Sequence, residues 1–257
     1  MRSTLIAVVS TVVFFTALVL IVVNSPGWPE VRQAFFNGEV FWASLKAIAP
    51  KLLVNIKIFL IAEALILVVG LAIAVLRSLP GPVFFPARLL GVVYTDFFRG
   101  VPTILIIYLF GFGIPTLALS GVPTSTFFWG VASLVLVYSA YVAEVYRAGI
   151  ESVHPSQEAA ARSLGLTKAQ SLRFVVLPQA VRRVIPPLLN DFIGLQKDTA
   201  LVALIGPVEA FRQSQIEVAA NFNYTPYLAT ALLFILLTIP MARLTDWLIA
   251  RQRRRQR

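Results

Sequence analysis

The sequence predicts an all-α integral membrane protein with about six transmembrane helices, and three observations support this prediction. Of the 257 residues, 58% are hydrophobic and only 13% are charged, whereas a soluble domain carries about 25% charged residues. The mean hydropathy is +0.81. Apolar runs of about 20 residues, the length that crosses a bilayer, recur along the chain. Together these observations exclude a soluble globular domain and a disordered chain.

Six apolar runs are long enough to be spans. The first, Thr4–Val23, carries no charge, and it is longer than the apolar core of a secretory signal peptide, which favours a retained helix. The second run covers 52–76. The uncharged stretch 100–143 is too long for one span, and the Gly- and Pro-containing segment 120–124 is a typical turn that divides it into two. The last two runs cover 187–205 and 227–249.

Two further segments are predicted to lie on the outer side. Residues 29–48 mix charges with aromatic side chains such as Phe35 and Trp42, which is typical of an amphipathic helix lying in the membrane interface. Residues 208–224 are polar and are predicted to form a short outer helix.

The distribution of positive charge predicts the orientation. With the N-terminus inside, most of the 22 lysines and arginines fall in cytoplasmic segments, as the positive-inside rule requires. Both ends of the chain are therefore predicted to be cytoplasmic. The arginine-rich tail 251–257 follows a span directly and is interpreted as an anchor for anionic lipid. The cations left outside are Arg32, Lys46, Lys51, Lys57 and Arg212, and Lys197 lies within a span.

The large cytoplasmic loop has a helix–turn–helix pattern. Pro155 suits the first turn of a helix, and Gly165 stands where a left-handed C-terminal cap is needed. Thr167 and Gln170 have the spacing of a capping box that starts a second helix. That helix is predicted to run through Val176 and to stop before Leu177-Pro178. Such a loop is too short for an enzyme domain but long enough to dock a cytoplasmic partner.

This loop resembles the EAA loop of the membrane subunits of type I ABC importers, because it combines Glu158-Ala159-Ala160, Gly165 and Leu177-Pro178. The segments 98–102, which contains Arg99, and 197–202, which begins Lys197-Asp198-Thr199, resemble the polar amino acid permease branch of that family. The resemblance covers roughly 52–249. From glutamate to glycine this chain has seven positions where the family pattern has six, so an alignment on Gly165 puts Ala159 at the family's glutamate position.

The resemblance implies a permease subunit for polar amino acids that works as a dimer or pseudo-dimer in a bacterial or archaeal plasma membrane. Its partners would be a second permease, a pair of ATPase subunits that receive the loop, and an external substrate-binding protein. This chain has no Walker A phosphate-binding motif, so ATP and Mg²⁺ are expected on the ATPase and no cofactor on this chain. The predicted parts are 1–51, a helix with the outer amphipathic segment; 52–250, the importer domain with coupling loop 150–178; and the cytoplasmic tail 251–257.

Ionisable groups inside spans are costly unless they are paired or hydrated, so they are candidates for the translocation path. Asp191 and Asp198 lie seven residues apart and share a helical face. A polar seam that only packs helices together is the alternative interpretation. Glu144 and Arg147 are one helical turn apart and are interpreted as a structural ion pair. The complete set of path candidates is Glu63, Arg99, Asp191, Lys197, Asp198 and Thr199.

Three other classes of membrane protein are alternatives. A proton- or sodium-coupled secondary transporter could use Glu63, Asp191 and Asp198 as relay carboxylates, but it would not explain the paired-helix loop. A membrane enzyme would need a cluster of catalytic groups, and none is apparent in the sequence. A pore or scaffold would not need charges within spans. With no cysteine and the single histidine His154, a thiolate or multi-histidine metal site is excluded.

Overall fold

The computed structural model describes residues 2–254, and within this range the chain is helical without β-strands. Short 3₁₀ turns cover Ala49–Lys51, Pro82–Phe84 and Thr199–Ile205, and π-helical turns cover Leu109–Gly113 and Leu172–Val176. The α-helices are α1 (Arg2–Val23), α2 (Trp28–Phe35), α3 (Gly38–Ile48), α4 (Leu52–Ser78), α5 (Phe85–Gly100), α6 (Thr103–Tyr108), α7 (Ile114–Thr116), α8 (Thr126–Glu151), α9 (Pro155–Ser163), α10 (Lys168–Ser171), α11 (Leu177–Asp198), α12 (Ala210–Asn221) and α13 (Thr225–Arg254).

Length and composition mark four helical stretches of the described chain as candidate spans, or five if one bent pair counts as a span. The four are Thr4–Val23, Trp28–Ser78, Thr126–Glu151 and Thr225–Arg251. The predicted span at 187–205 is absent from this set. Polar and charged residues interrupt its helical part in α11, and the remainder is a 3₁₀ turn. The all-helical membrane fold is confirmed, while the count of six depends on α11.

The bent pair corrects the predicted span that starts at residue 100. Helix α5 ends at Gly100 and α6 begins at Thr103, and the two segments are bent by 104°. Pro102 explains the break, because it has no N–H to donate and disfavours helical geometry at Val101. The segment before the break lies between the predicted spans 52–76 and 100–143, where no helix is predicted, and it forms the amphipathic helix α5, which packs on α4 and α8.

The core forms around α4 and α8, which share the most extensive contact in the described chain. Gly70 of α4 lies directly against Val142 of α8, so close that an added Cβ would come within 2.7 Å of the Val142 Cγ1 atom. Helix α11 covers another side of α8, and its interior contains Pro186 and Pro187. Buried apolar side chains of α4, α6, α8 and the 3₁₀ turn Thr199–Ile205 fill the space between these helices.

The predicted amphipathic helix at 29–48 is two helices, α2 and α3. The Asn37 side chain accepts hydrogen bonds from the backbone N–H groups of Glu39 and Val40, and it caps α3. This side-chain cap favours a new helix start over continuation of α2. Helix α3 packs on α12 and α13, and α12 confirms the helix predicted within 208–224.

Helix α1 stands apart from this body. Its apolar stretch Thr4–Val23 has a mean hydropathy of 2.9, and none of it is buried inside the chain. Such a helix is suited to contact with lipid along its length.

Candidate functional site

The loop between α8 and α11 begins with a capped helix. His154 is the N-cap of α9, where its Nδ1 atom accepts a hydrogen bond of 3.2 Å from the Ser156 N–H. Pro155 occupies the first helical position, where its missing N–H costs nothing. The helix start predicted from these residues is confirmed.

The turn after α9 is a Schellman motif. Gly165 adopts φ +91°, and its N–H donates to the Arg162 carbonyl at 3.0 Å, while the Leu166 N–H donates to the Ala161 carbonyl at 3.3 Å. This hydrogen-bond pair satisfies carbonyls at the end of α9. The positive φ is the reason for glycine, because an added Cβ would meet no atom within 4 Å.

The second helix starts as predicted but does not stop as predicted. The Thr167 side chain accepts from the Gln170 N–H at 3.3 Å, and the Gln170 side chain accepts from the Thr167 N–H at 2.9 Å, which forms the capping box. Helical backbone then continues through the π turn Leu172–Val176 directly into α11. The wider π turn accommodates Pro178, whose ring would otherwise clash with the carbonyl four residues earlier.

The base of the loop is fixed to the membrane helices. Val153, Val176 and Ala180 form a small buried cluster that joins the end of α8 to the start of α11. Arg183 of α11 donates to the Ser152 carbonyl. The base of the loop and the lower part of α11 are therefore tied to one another.

The outward face of the loop is available for a partner. Glu158 is half-buried, whereas Ala159, Ala160 and Gly165 are exposed, and Leu164 is 84% exposed. When the loop is aligned with the family pattern on Gly165, the exposed Ala159 stands at the position of the family's glutamate. The Glu158 carboxylate lies one residue earlier. At the other end of the loop, Leu177 and Pro178 are exposed.

Above the loop, Glu144 is the centre of an arginine cluster. Its Oε2 atom lies 3.0 Å from Nη1 of Arg77 and 4.0 Å from Nη1 of Arg99. Its Oε1 atom pairs with Arg147, which also pairs with Glu151. The predicted Glu144–Arg147 pair is confirmed, and the cluster additionally joins α4 and α5 to α8.

A cavity of about 350 Å³ opens beside this cluster. The cavity has a polar lining from Arg99, Tyr141, Glu144, Ser152, Arg183 and Asp191. Within residues 2–254, the buried Oδ2 atom of Asp191 has no hydrogen-bond partner. Cationic and anionic groups face the same space, an arrangement that can hold a zwitterion. The path candidates Arg99 and Asp191 are thus brought together.

The other path candidates occupy separate surroundings. Glu63 on α4 is half-buried. Asp198 accepts a hydrogen bond of 2.9 Å from the Tyr138 hydroxyl on α8. Lys197 is exposed and lines a groove of about 500 Å³ between α11, α12 and α13, together with Phe211 and Tyr227. Asp198 and Lys197 therefore point away from α11 in different directions.

Thr199 belongs to a buried cluster that the sequence did not reveal. The Asn55 amide donates to Thr199 Oγ1 at 3.1 Å and to Glu209 Oε2 at 2.7 Å, and its oxygen accepts from the Ala210 N–H at 3.0 Å. Asn55, Thr199 and Glu209 are each at most 1% exposed.

Glu209 is the N-cap of α12 and also accepts from the backbone N–H groups of Phe211 and Arg212. Burial raises the pKa of its carboxyl above the usual range, and the hydrogen bonds from Phe211, Asn55 and Arg212 oppose that rise. No local pattern identifies this cluster, since Asn55 lies 144 and 154 positions from its partners.

The fold and these sites define a class: a multi-pass membrane permease subunit with an exposed two-helix loop on one side. The chain belongs to the family of binding-protein-dependent transport system inner membrane components, whose family model matches residues 3–254. The resemblance to type I ABC importer permeases that the sequence indicated is confirmed.

Similar proteins agree with this assignment. The probable glutamine ABC transporter permease protein GlnM of Bacillus subtilis is 36% identical over 176 residues, which cover 68% of this chain and 79% of that relative. The probable amino-acid permease protein YxeN of the same organism is 35% identical over 210 residues, 80% of this chain and 92% of that relative.

Solved structures share the fold. A crystal structure of an amino acid ABC transporter with histidines matches with a TM-score of 0.70 and 31% identity, covering 83% of this chain and 94% of that one. An inward-facing structure of the MetNI methionine ABC transporter, at 17% identity and a TM-score of 0.62, covers 80% and 95% and supports the fold alone.

Proposed function

We propose that this chain is the permease subunit of an ATP-driven importer that moves polar amino acids across the plasma membrane. The observation that carries the proposal is the loop between α8 and α11. It is exposed, it is stabilised by a Schellman motif and a capping box, and it is fixed at its base to both helices. A loop built in this way can receive a push from a cytoplasmic ATPase and transmit it into the membrane.

The partners follow from this arrangement. Two ATPase subunits would bind ATP and Mg²⁺ and would receive the loop of this chain and of a second permease, identical or homologous. Glu158, Ala159, Ala160 and Gly165 would form the docking surface, and Leu177-Pro178 its connection to α11. An external binding protein would deliver the substrate. The charge distribution supports cytoplasmic ends for the chain.

The substrate class rests on the similar proteins and on the cavity. The relatives are named as glutamine and amino-acid permeases, and the similar solved structure is an amino acid transporter. The cavity offers Arg99 for a carboxylate and the Asp191 carboxylate for an ammonium group. Opposite charges that line one cavity suit an amino acid backbone.

We further propose that the translocation path follows α11 from this cavity toward the outer side. Glu63 and Asp198 would provide further polar surface along it, and Lys197 would meet substrate at the groove beside α12. Thr199, which is buried in the Asn55 cluster, would support the path wall from behind.

A pull-down in mild detergent tests the proposal. Tagged protein would be purified and the bound chains identified by mass spectrometry. The proposal expects an ATPase with a phosphate-binding loop in an amount nearly equal to that of the tagged protein. Recovery of a second, different permease would indicate a heterodimer, and recovery of this chain alone would indicate a homodimer. Repeated monodisperse preparations without an ATPase would contradict the proposal and would favour an ion-coupled transporter. Glu63 and Asp198 of this chain would then be the next residues to mutate.

A further inference from the structure

Phe222, between α12 and α13, has a conformation and an exposure that folding does not explain. It is the C-cap of α12 in the left-handed region, at φ +49° and ψ +35°, and its side chain is 90% exposed. Left-handed C-terminal positions usually hold glycine or asparagine, because other side chains are strained there. An exposed aromatic ring adds no burial within the chain that could offset this strain.

The residues after Phe222 are held firmly. The Asn223 amide donates to the Gln33 carbonyl at 2.8 Å, and the Tyr224 N–H donates to the Ala34 carbonyl at 2.8 Å. The Tyr224 ring stacks on Phe35 with centroids 5.1 Å apart. The exposed ring of Phe222 therefore projects from a rigid support on α2 and not from a loose loop.

The support stands at the end of the molecule opposite the loop that contains Gly165. Helix α11 leaves that loop, and its far end continues through Thr199–Ile205 into α12. The surface of helix α12 is mostly polar, with Arg212, Gln215 and Asn221 beside the exposed Ile216. A ring projecting beside such a polar helix suits a water-soluble partner with an apolar pocket and a polar rim, the usual anatomy of a protein interface.

We infer that Phe222 is an aromatic anchor for the substrate-binding protein at the outer face. This inference rests on the proposed function and names one contact of its delivery step. The membership of the chain in a family whose transport depends on a binding protein supplies the partner. The strain at Phe222 persists because the ring is used between proteins, where a few aromatic residues contribute most of the binding energy.

The test separates binding from folding, because replacements that suit the left-handed region remove the ring and the strain together. The complete transporter, in lipid nanodiscs, carries Phe222→Gly or Phe222→Asn. Affinity is measured for the binding protein that supports uptake with the unmodified complex. Both variants should keep or raise the thermal unfolding temperature and weaken binding by about tenfold or more. Phe222→Trp should retain most of the affinity.

Trp42→Ala is the matched control, because Trp42 is also an aromatic residue with 63% exposure on the outer helix α3. It should leave binding within about twofold. Unchanged affinity in both Phe222→Gly and Phe222→Asn overturns the inference, and equal losses in Trp42→Ala point instead to a general contact of aromatic rings with lipid. If the complex has ATPase and uptake but these variants bind normally, only the anchor fails. If neither ATPase nor binding protein associates, the proposed function fails.

Discussion

Asn55→Leu tests whether the buried cluster of Asn55, Thr199 and Glu209 holds α12 on α4. Asn55 is 1% exposed and bridges Thr199, Glu209 and the Ala210 N–H. Leucine has a similar shape but can neither donate nor accept a hydrogen bond. The substitution therefore removes these bonds while filling most of the same volume.

The expected cost follows from the groups left behind. The Ala210 N–H loses its acceptor, and the Glu209 carboxylate loses one of its three donors. A buried polar group left unsatisfied costs about 1–3 kcal/mol, and the extra apolar burial of leucine returns about 1 kcal/mol. For these two groups together we expect a net loss of about 1–5 kcal/mol, concentrated at the start of α12.

The assay combines thermal unfolding of the purified protein with amide hydrogen exchange. Exchange should accelerate first at Ala210 and the residues that follow it. Asn190→Leu is the control, because Asn190 is an exposed asparagine of α11 and should change stability little. In a double-mutant cycle, Asn55→Leu and Glu209→Gln should be non-additive by about 1 kcal/mol or more. An Asn55→Leu protein as stable as the Asn190→Leu control, with unchanged exchange at Ala210, would refute the reasoning.

Three further predictions concern the loop, the groove and the arginine cluster. Gly165→Trp should leave membrane insertion intact but uncouple ATPase activity from uptake. The φ of +91° at Gly165 disfavours any side chain, and the indole would stand on the proposed docking surface. Unchanged coupled uptake would contradict the docking role. Lys197→Ala should impair uptake at normal abundance in the membrane, measured with radiolabelled amino acid and an immunoblot, and reduced abundance alone would indicate a structural role. Glu144→Gln should destabilise the protein by about 1–3 kcal/mol, because Arg77 loses its counter-charge in a partly buried site. The exposed pair of Arg243 with Asp246 provides the control: Arg243→Gln should have almost no effect in the same unfolding assay, and equal losses would contradict the reasoning.

The sequence predicted best where a structure is determined by neighbouring residues. The loop's Schellman turn at Gly165 and the capping box at Thr167 depend on contacts within five positions, so their residue types identify them directly. Helix α5 was missed because its charges resemble those of a connecting loop, although Pro102 does mark its end. The triple role of Asn55 could not be predicted, since its partners lie on distant segments and nothing near Asn55 in sequence specifies them.

The same distinction applies to the candidate path. Asp191 and Asp198 were predicted to share a face from helical spacing, and Asp191 and Arg99 do line one cavity. The hydrogen bond from the Tyr138 hydroxyl to Asp198 depends on how α8 packs against α11. Spacing within one helix does not specify that packing. The role of these residues in transport stays a prediction.

The adjacent prolines inside α11 divide that helix into two mechanical parts. Below them, Arg183 ties the helix to the end of α8, and above them Thr199 ties its continuation to the Asn55 cluster. Pro186 and Pro187 remove two consecutive backbone hydrogen bonds between these attachments. We expect the helix to bend there when its lower end moves, because fewer backbone hydrogen bonds resist bending at the two prolines. The bend would act one turn before Asp191, so a displacement of the loop would change the shape of the cavity before it disturbed the Asn55 cluster.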